Sequence, residues 1–205
     1  MARALILVDL QYDFCPGGAL AVAHGDETIA VANKLMPAFP IVVATQDWHP
    51  PSHASFAVNN PGMAVGQVIQ VDGLPQVMWP AHCVQGTQGA ELHGGLDKPR
   101  ITRVFHKGTD AAIDSYSGFF DNGHKKSTGM GEWLKEQGVD SVTVLGLATD
   151  YCVKFTALDA KGMGMNVSLV SDGCRGVDLS PGDSAKAIEE MRAAGVHITD
   201  SAHVG

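Results

Sequence analysis

Short apolar runs of strand length recur along the chain, at Ala4–Val8, Ile41–Ala44, Ile101–Phe105, Val142–Leu147, Val167–Val170 and Val196–Thr199. Each is rich in Val, Ile and Leu and apolar nearly throughout, as expected of parallel strands covered on both faces. Between them lie segments of helical character: Glu27–Met36, stopped by Pro37; Thr128–Gln137, after Ser127 as a cap; Cys152–Lys161; and Asp183–Ala194. Glycines just past three of these suit a left-handed C-terminal cap. Strand and helix in alternation predict a doubly wound α/β domain. No repeat or linker interrupts the pattern, so residues 1–205 read as one domain. The exception to regularity is Pro50–Pro99, rich in Gly and Pro and poor in periodicity. A long irregular stretch inside a compact domain is more often functional than idle.

Composition narrows the partners. With 205 residues, 45% of them hydrophobic, the chain can fill one large core and is not disordered. Its 22 Asp and Glu outnumber 14 Lys and Arg, a net charge of −8, which argues against a nucleic-acid or anionic-membrane surface. A small molecule is the expected partner. Four cysteines, Cys15, Cys83, Cys152 and Cys174, are too sparse for a disulfide framework. Asp9 interrupts the first apolar run too early for a signal-peptide core, and no run reaches the length of a membrane span. The expectation is a cytoplasmic protein with reduced thiols.

Open α/β sheets bind ligands beyond the carboxyl ends of their strands. Those ends carry Asp9, then Asp47-Trp48-His49, then Lys107, then the turn Gly146-Leu147-Ala148-Thr149-Asp150-Tyr151-Cys152. An isolated cysteine is usually a small buried hydrophobe. Cys152, however, opens a helix candidate, where free N–H groups and the helix dipole stabilise a thiolate or an oxyanion. A nearby Lys107 ammonium would favour that thiolate, and the Asp9 carboxylate could accept and return its proton. Asp47 and His49, two apart in extended backbone, share a face and suit two ligands of one transition metal, with His82 as a third. Cys83, adjacent to His82, reads as structural, and Cys15 and Cys174 as packing residues.

Taken together, these motifs resemble the bacterial nicotinamidases, also called pyrazinamidases, of the isochorismatase-like cysteine hydrolases. The resemblance covers nearly the whole chain. It rests on Leu7-Val8-Asp9-Leu10-Gln11-Tyr12-Asp13-Phe14-Cys15-Pro16-Gly17-Gly18, Thr45-Gln46-Asp47-Trp48-His49-Pro50, Trp79-Pro80-Ala81-His82-Cys83-Val84, Lys107-Gly108, Tyr116-Ser117-Gly118-Phe119 and the turn ending in Cys152. It implies a six-stranded parallel sheet with helices on both faces. It implies Asp9, Lys107 and Cys152 as a catalytic triad, and Asp47, His49 and His82 as ligands of one divalent zinc, iron or manganese ion. A cis peptide before Ala148, with an oxyanion hole from the Ala148 and Cys152 N–H groups, is implied too. Phe14, Leu20, Trp79 and Tyr116 match positions that line the aromatic substrate pocket. Two positions depart from some members. Ser55 stands where a histidine ligand is found, leaving a direct or water-mediated role for its hydroxyl, while His53 is offset by two residues. Tyr151 replaces a histidine beside the nucleophile.

The implied activity is hydrolysis of nicotinamide, and of pyrazinamide, through a cysteine thioester, with the metal positioning the ring. The alternatives are a related cysteine amidohydrolase acting on a carbamoyl or maleamate-type substrate, and a non-catalytic metal- or ligand-binding module. A homo-oligomer is left open.

Overall fold

The structure is a computed structural model and describes residues 2–204. Six parallel strands form the main sheet in the order β5-β2-β1-β6-β7-β8: β1 (Ala2–Val8), β2 (Ile41–Asp47), β5 (Arg103–Lys107), β6 (Val139–Leu147), β7 (Asn166–Arg175) and β8 (His197–Thr199). A small antiparallel hairpin, β3 (Val68–Val71) with β4 (Leu74–Val77), stands apart from it. Four α-helices complete the fold: α1 (Glu27–Leu35), α2 (Met130–Glu136), α3 (Lys154–Gly162) and α4 (Asp183–Ala193). The predicted doubly wound architecture is thus observed, and each apolar run falls in or beside its strand.

Burial follows position in the sheet. Ala4 to Val8, in the centre of the sheet, are all fully buried, whereas edge strand β5 buries only Phe105 and Lys107. That is the contrast expected between an inner strand covered on both faces and an edge strand. From β1 the chain runs outward to β2 and β5, then returns to β6 on the other side of β1 and continues to β7 and β8. Right-handed crossovers in opposite directions place helices on opposite faces. The reversal leaves a crevice beyond the carboxyl ends of β1 and β6, the switch point at which such sheets bind ligands. At Gly146, beside that crevice, φ is +131° and an added Cβ would lie 2.2 Å from the Val8 carbonyl oxygen, so only glycine lets β6 run this close to β1.

Three local expectations are revised. Helix α1 ends at Leu35, and Met36–Ala38 forms a separate 3₁₀ turn because Pro37 lacks an N–H to continue the ladder. Helix α2 begins at Met130, not Thr128: Ser127 Oγ accepts the Gly129 N–H and Thr128 Oγ1 the Met130 N–H, a polar turn that delays the helix. The helix bearing Cys152 starts earlier than predicted, with a wide π turn over Thr149–Val153 that runs into α3. Within the stretch read as irregular, the β3–β4 hairpin turns at Asp72-Gly73, both at positive φ. No helix among the described residues is long and apolar enough to cross a membrane.

Candidate active site

Four strand ends deliver the polar groups to the crevice. Asp9 follows β1 with φ at +50°, a conformation that Asp tolerates better than most residues. Asp47 ends β2 and Lys107 ends β5, paired in register. Cys152 sits in the π turn after β6. All four are buried. The Lys107 ammonium lies at their centre, 2.9 Å from Asp9 Oδ2, 2.5 Å from Asp47 Oδ1, 3.3 Å from Cys152 Sγ and 2.9 Å from the Ser115 carbonyl oxygen. The structure therefore brings together the three residues predicted to act as a triad. It also adds a contact that spacing did not suggest: Asp47, predicted only as a metal ligand, is ion-paired to Lys107.

Burial pulls the Lys107 pKa down, but the carboxylates of Asp47 and Asp9 outweigh it and hold the ammonium well above its ordinary value. Burial raises the Cys152 thiol well above the ordinary cysteine value; Lys107 opposes this, and Asp9 and Asp47 reinforce it. Burial, reinforced by the two carboxylates that share Lys107, thus favours the neutral thiol, the form whose proton Asp9 is placed to take. Burial also raises the Asp9 carboxyl, against the pull of Lys107. Asp47 goes the other way: burial raises it, yet Lys107 and then His49 hold it well below the carboxylate range.

The second Asp47 oxygen faces two imidazoles. Oδ2 lies 3.6 Å from His49 Nε2 and 3.8 Å from His82 Nε2. One donor atom from each of the three residues falls within 4.8 Å of the others. His49 Nδ1 donates to the Gly108 carbonyl and His82 Nδ1 to the Pro80 carbonyl, both at 2.8 Å. Each backbone bond occupies Nδ1 and leaves Nε2 on the side facing Asp47, the outer support that metal-binding histidines need. Gly108, at φ +62°, makes room for this: an added Cβ would lie 2.3 Å from His49 Cε1. The His82 loop is tied to β2 by the His49 N–H donating to the Cys83 carbonyl, and to the first loop by the Cys83 N–H donating to Asp13 Oδ2. Asp47, His49 and His82 thus fit a divalent transition metal.

The Ser55 hydroxyl is turned toward His53, 2.7 Å from Nδ1, and the Ser55 N–H donates to the same nitrogen at 3.3 Å. Nδ1 of His53 is therefore an acceptor and the ring proton sits on Nε2, a buried atom with no hydrogen-bond partner among the described residues. Burial pushes the His53 pKa down to about 4, so the ring is neutral.

A cavity of about 350 Å³ opens between the metal-type residues and the thiol. Phe14, Leu20, Trp79 and Tyr116, all predicted as pocket residues, line it together with Ala148 and Cys152. The Leu147–Ala148 peptide bond is cis, as the resemblance implied. Tyr151 is a wall residue, edge-on to Trp79 at 4.9 Å between ring centroids. Sequence reasoning missed Asp114, Val177 and Gln76. Asp114 and Val177 face the cavity, and Gln76, from β4, donates to Asp114 Oδ2 at 3.0 Å behind it. Asp150 holds Val177 in place by accepting the N–H groups of Val177 and Asp178.

Comparison with known proteins agrees with this fold. A nicotinamidase of Escherichia coli is 53% identical over 200 residues, covering 96% of this chain and 93% of that one. A solved structure of a nicotinamidase/pyrazinamidase from Acinetobacter baumanii superimposes with a TM-score of 0.96 at 45% identity, covering 99% of this chain and 98% of that chain. A pyrazinamidase of Pyrococcus horikoshii, solved in complex with zinc, gives a TM-score of 0.81 at 37% identity over 98% of this chain and 99% of that one. Residues 3–203 match the isochorismatase domain, and the chain belongs to that family.

Proposed function

We propose that this chain hydrolyses the carboxamide of nicotinamide to nicotinate and ammonia, and accepts pyrazinamide as well. The observation that carries this reading is one buried ammonium, Lys107, in contact with Asp9 and Cys152 on one side and with an Asp–His–His set, through Asp47, on the other. The relatives' activities support the substrate, and the aromatic lining of a small cavity suits a flat heteroaromatic amide.

In the reaction, Asp9 takes the Cys152 thiol proton as the sulfur attacks the amide carbon. Lys107 stays protonated and offsets the charge that forms on sulfur. The N–H groups of Ala148 and Cys152 stabilise the tetrahedral oxyanion, a role worth about 3–4 kcal/mol per donor in other enzymes. Asp9 then protonates the amide nitrogen, which leaves as ammonia; a thioester remains, and a water deprotonated by Asp9 hydrolyses it, that proton returning to the Cys152 sulfur as it departs. Asp47, His49 and His82 hold a divalent metal, for which zinc is our assignment given the zinc-bound relative. When bound, the ion supplies a coordination site for the ring nitrogen that orients the ring.

The test is ammonia release from nicotinamide by wild type and Cys152→Ala, with metal content measured on the same samples. The reading requires turnover in wild type, loss of at least about a thousandfold in the variant, and near-stoichiometric metal in both. Turnover undiminished in Cys152→Ala would sink the mechanism. A metal-free wild type active on carbamoyl substrates alone would favour the related amidohydrolase.

A further inference from the structure

The carboxylate of Asp9 has two oxygens, and the structure treats them differently. Oδ2 is ion-paired to Lys107 Nζ at 2.9 Å but lies outside hydrogen-bond geometry to it. An ammonium has three protons. Lys107 gives its three to Asp47 Oδ1, the Ser115 carbonyl and Cys152 Sγ. Asp9 Oδ2 is left as a buried carboxylate oxygen without a hydrogen bond among the described residues. Oδ1 is engaged by the Thr45 hydroxyl at 2.6 Å. Thr45 Oγ1 itself accepts the Asp9 N–H at 3.2 Å. A carboxylate can only accept, so the hydroxyl proton faces Oδ1 and closes a ring from Asp9 N–H through Thr45 back to Asp9 Oδ1.

We propose that Thr45 is a positioning residue that makes Oδ2 the proton-accepting atom of Asp9. The inference rests on the reading of Asp9 as the base. With Oδ1 already holding a hydroxyl proton, an incoming proton has its place only on Oδ2, the atom beside Lys107. The S–H bond of Cys152 breaks, its electron pair stays on sulfur, and an O–H bond forms at Oδ2. The proton later passes from that atom to the amide nitrogen as the C–N bond breaks and ammonia leaves, while Thr45 keeps its own proton throughout. Thr45 touches neither the thiol nor the cavity.

Its own geometry is constrained to the task. Thr45 is fully buried near the end of β2. Its methyl packs over Gly118, where an added Cβ would come within 2.8 Å of Thr45 Cγ2. The methyl seat fixes the rotamer, and the rotamer aims the hydroxyl at Asp9.

The test compares wild type, Thr45→Val and Thr45→Ser. Thr45→Val keeps the shape and removes the hydroxyl. Its kcat for ammonia release should fall about 10- to 100-fold, with KM within about threefold of wild type, as for a misaimed catalytic group. Thr45→Ser keeps the hydroxyl, and its kcat should stay within about threefold. Wild-type kcat in Thr45→Val, or a loss in KM alone, overturns the proposal. So does a loss above tenfold in Thr45→Ser, and that arm decides even if the valine variant does not fold. Alkylation of Cys152 by iodoacetamide supplies a measurement independent of substrate. Thr45→Val should slow it in the wild-type background and add nothing to Asp9→Asn; an equal slowing in both backgrounds refutes action through Asp9. If wild type releases no ammonia from nicotinamide, the functional reading fails, and the alkylation cycle still decides the role of Thr45.

Discussion

Gln11 offers the sharpest test of how the fold holds Asp47 in place. Its side chain is fully buried two residues after Asp9. It accepts the Asp47 N–H at 2.9 Å and donates to the Asp47 carbonyl at 2.8 Å and the Ala90 carbonyl at 2.7 Å. The last strand residue of β2 is thus clamped from both backbone sides. Replacing Gln11 by Leu keeps the volume and removes all three bonds. Ala90 O retains a bond from Gln46 Nε2, so its loss is small. The Asp47 N–H and carbonyl are left unsatisfied, at about 1–3 kcal/mol for an orphaned donor and toward the low end for the carbonyl. The expected total is about 2–4 kcal/mol, or a fall of roughly 5–15 °C in melting temperature for a chain of this size. Urea unfolding of the metal-free protein reads the stability term, and competition with a chelator reads metal retention. Both should drop, because freeing the Asp47 backbone moves an oxygen from Lys107 and from the metal set alike. Gln46→Leu is the control: Gln46 touches only Ala90 O among these groups, so it should cost about 1 kcal/mol and leave the metal in place. A Gln11→Leu protein that loses less than 1 kcal/mol and keeps its metal would refute the clamp.

Other perturbations separate the parts of the site. Gly108→Ala should displace the His49 ring and lower metal content in the purified protein, since its Cβ would lie 2.3 Å from His49 Cε1; full metal occupancy would show that the loop moves instead. Asp150→Asn keeps one acceptor where two N–H groups need one each, so Val177 should loosen and KM rise more than kcat falls; an unchanged KM would contradict this role in shaping the cavity. Burial raises the thiols of Cys15 to about 11 and Cys174 to about 12, so at pH 8 only about one in a thousand and one in ten thousand are thiolate. Burial raises the Cys152 thiol as well, but it alone of these three lines the cavity and has Asp9 beside it to take its proton, so it should be alkylated first in the native protein, as peptide mapping would report; prior labelling of Cys15 or Cys174 would argue against Asp9 as that base.

Much of this was legible in the amino-acid sequence, for physical reasons that can be named. Buried parallel strands must be apolar on both faces, so β1, β6 and β7 announce themselves as Val, Ile and Leu runs. Such sheets bind ligands beyond the carboxyl ends of their strands, which marked Asp9, Asp47 and Lys107 before their contacts were seen. The hairpin was missed although Val71-Asp72-Gly73-Leu74 holds an Asp-Gly pair between apolar residues, the standard cue for a tight turn. Its flanking glycines and prolines masked it. The contributions of Asp114 and Gln76 were beyond reach, because nothing local ties residue 76 to residue 114. The sharing of Lys107 between two carboxylates was beyond reach for a related reason, since only the fold shows that Asp47 contacts it as well as Asp9.

The central claim is that Cys152 carries the acyl group. Rapid acid quenching of the enzyme with excess nicotinamide, followed by intact and peptide mass spectrometry, addresses it directly. A mass increase of one nicotinoyl group on the peptide bearing Cys152, absent in Cys152→Ala and decaying as nicotinate appears, is the predicted result. Ammonia release at the normal rate with no adduct on Cys152, or with the adduct on another residue, would contradict it.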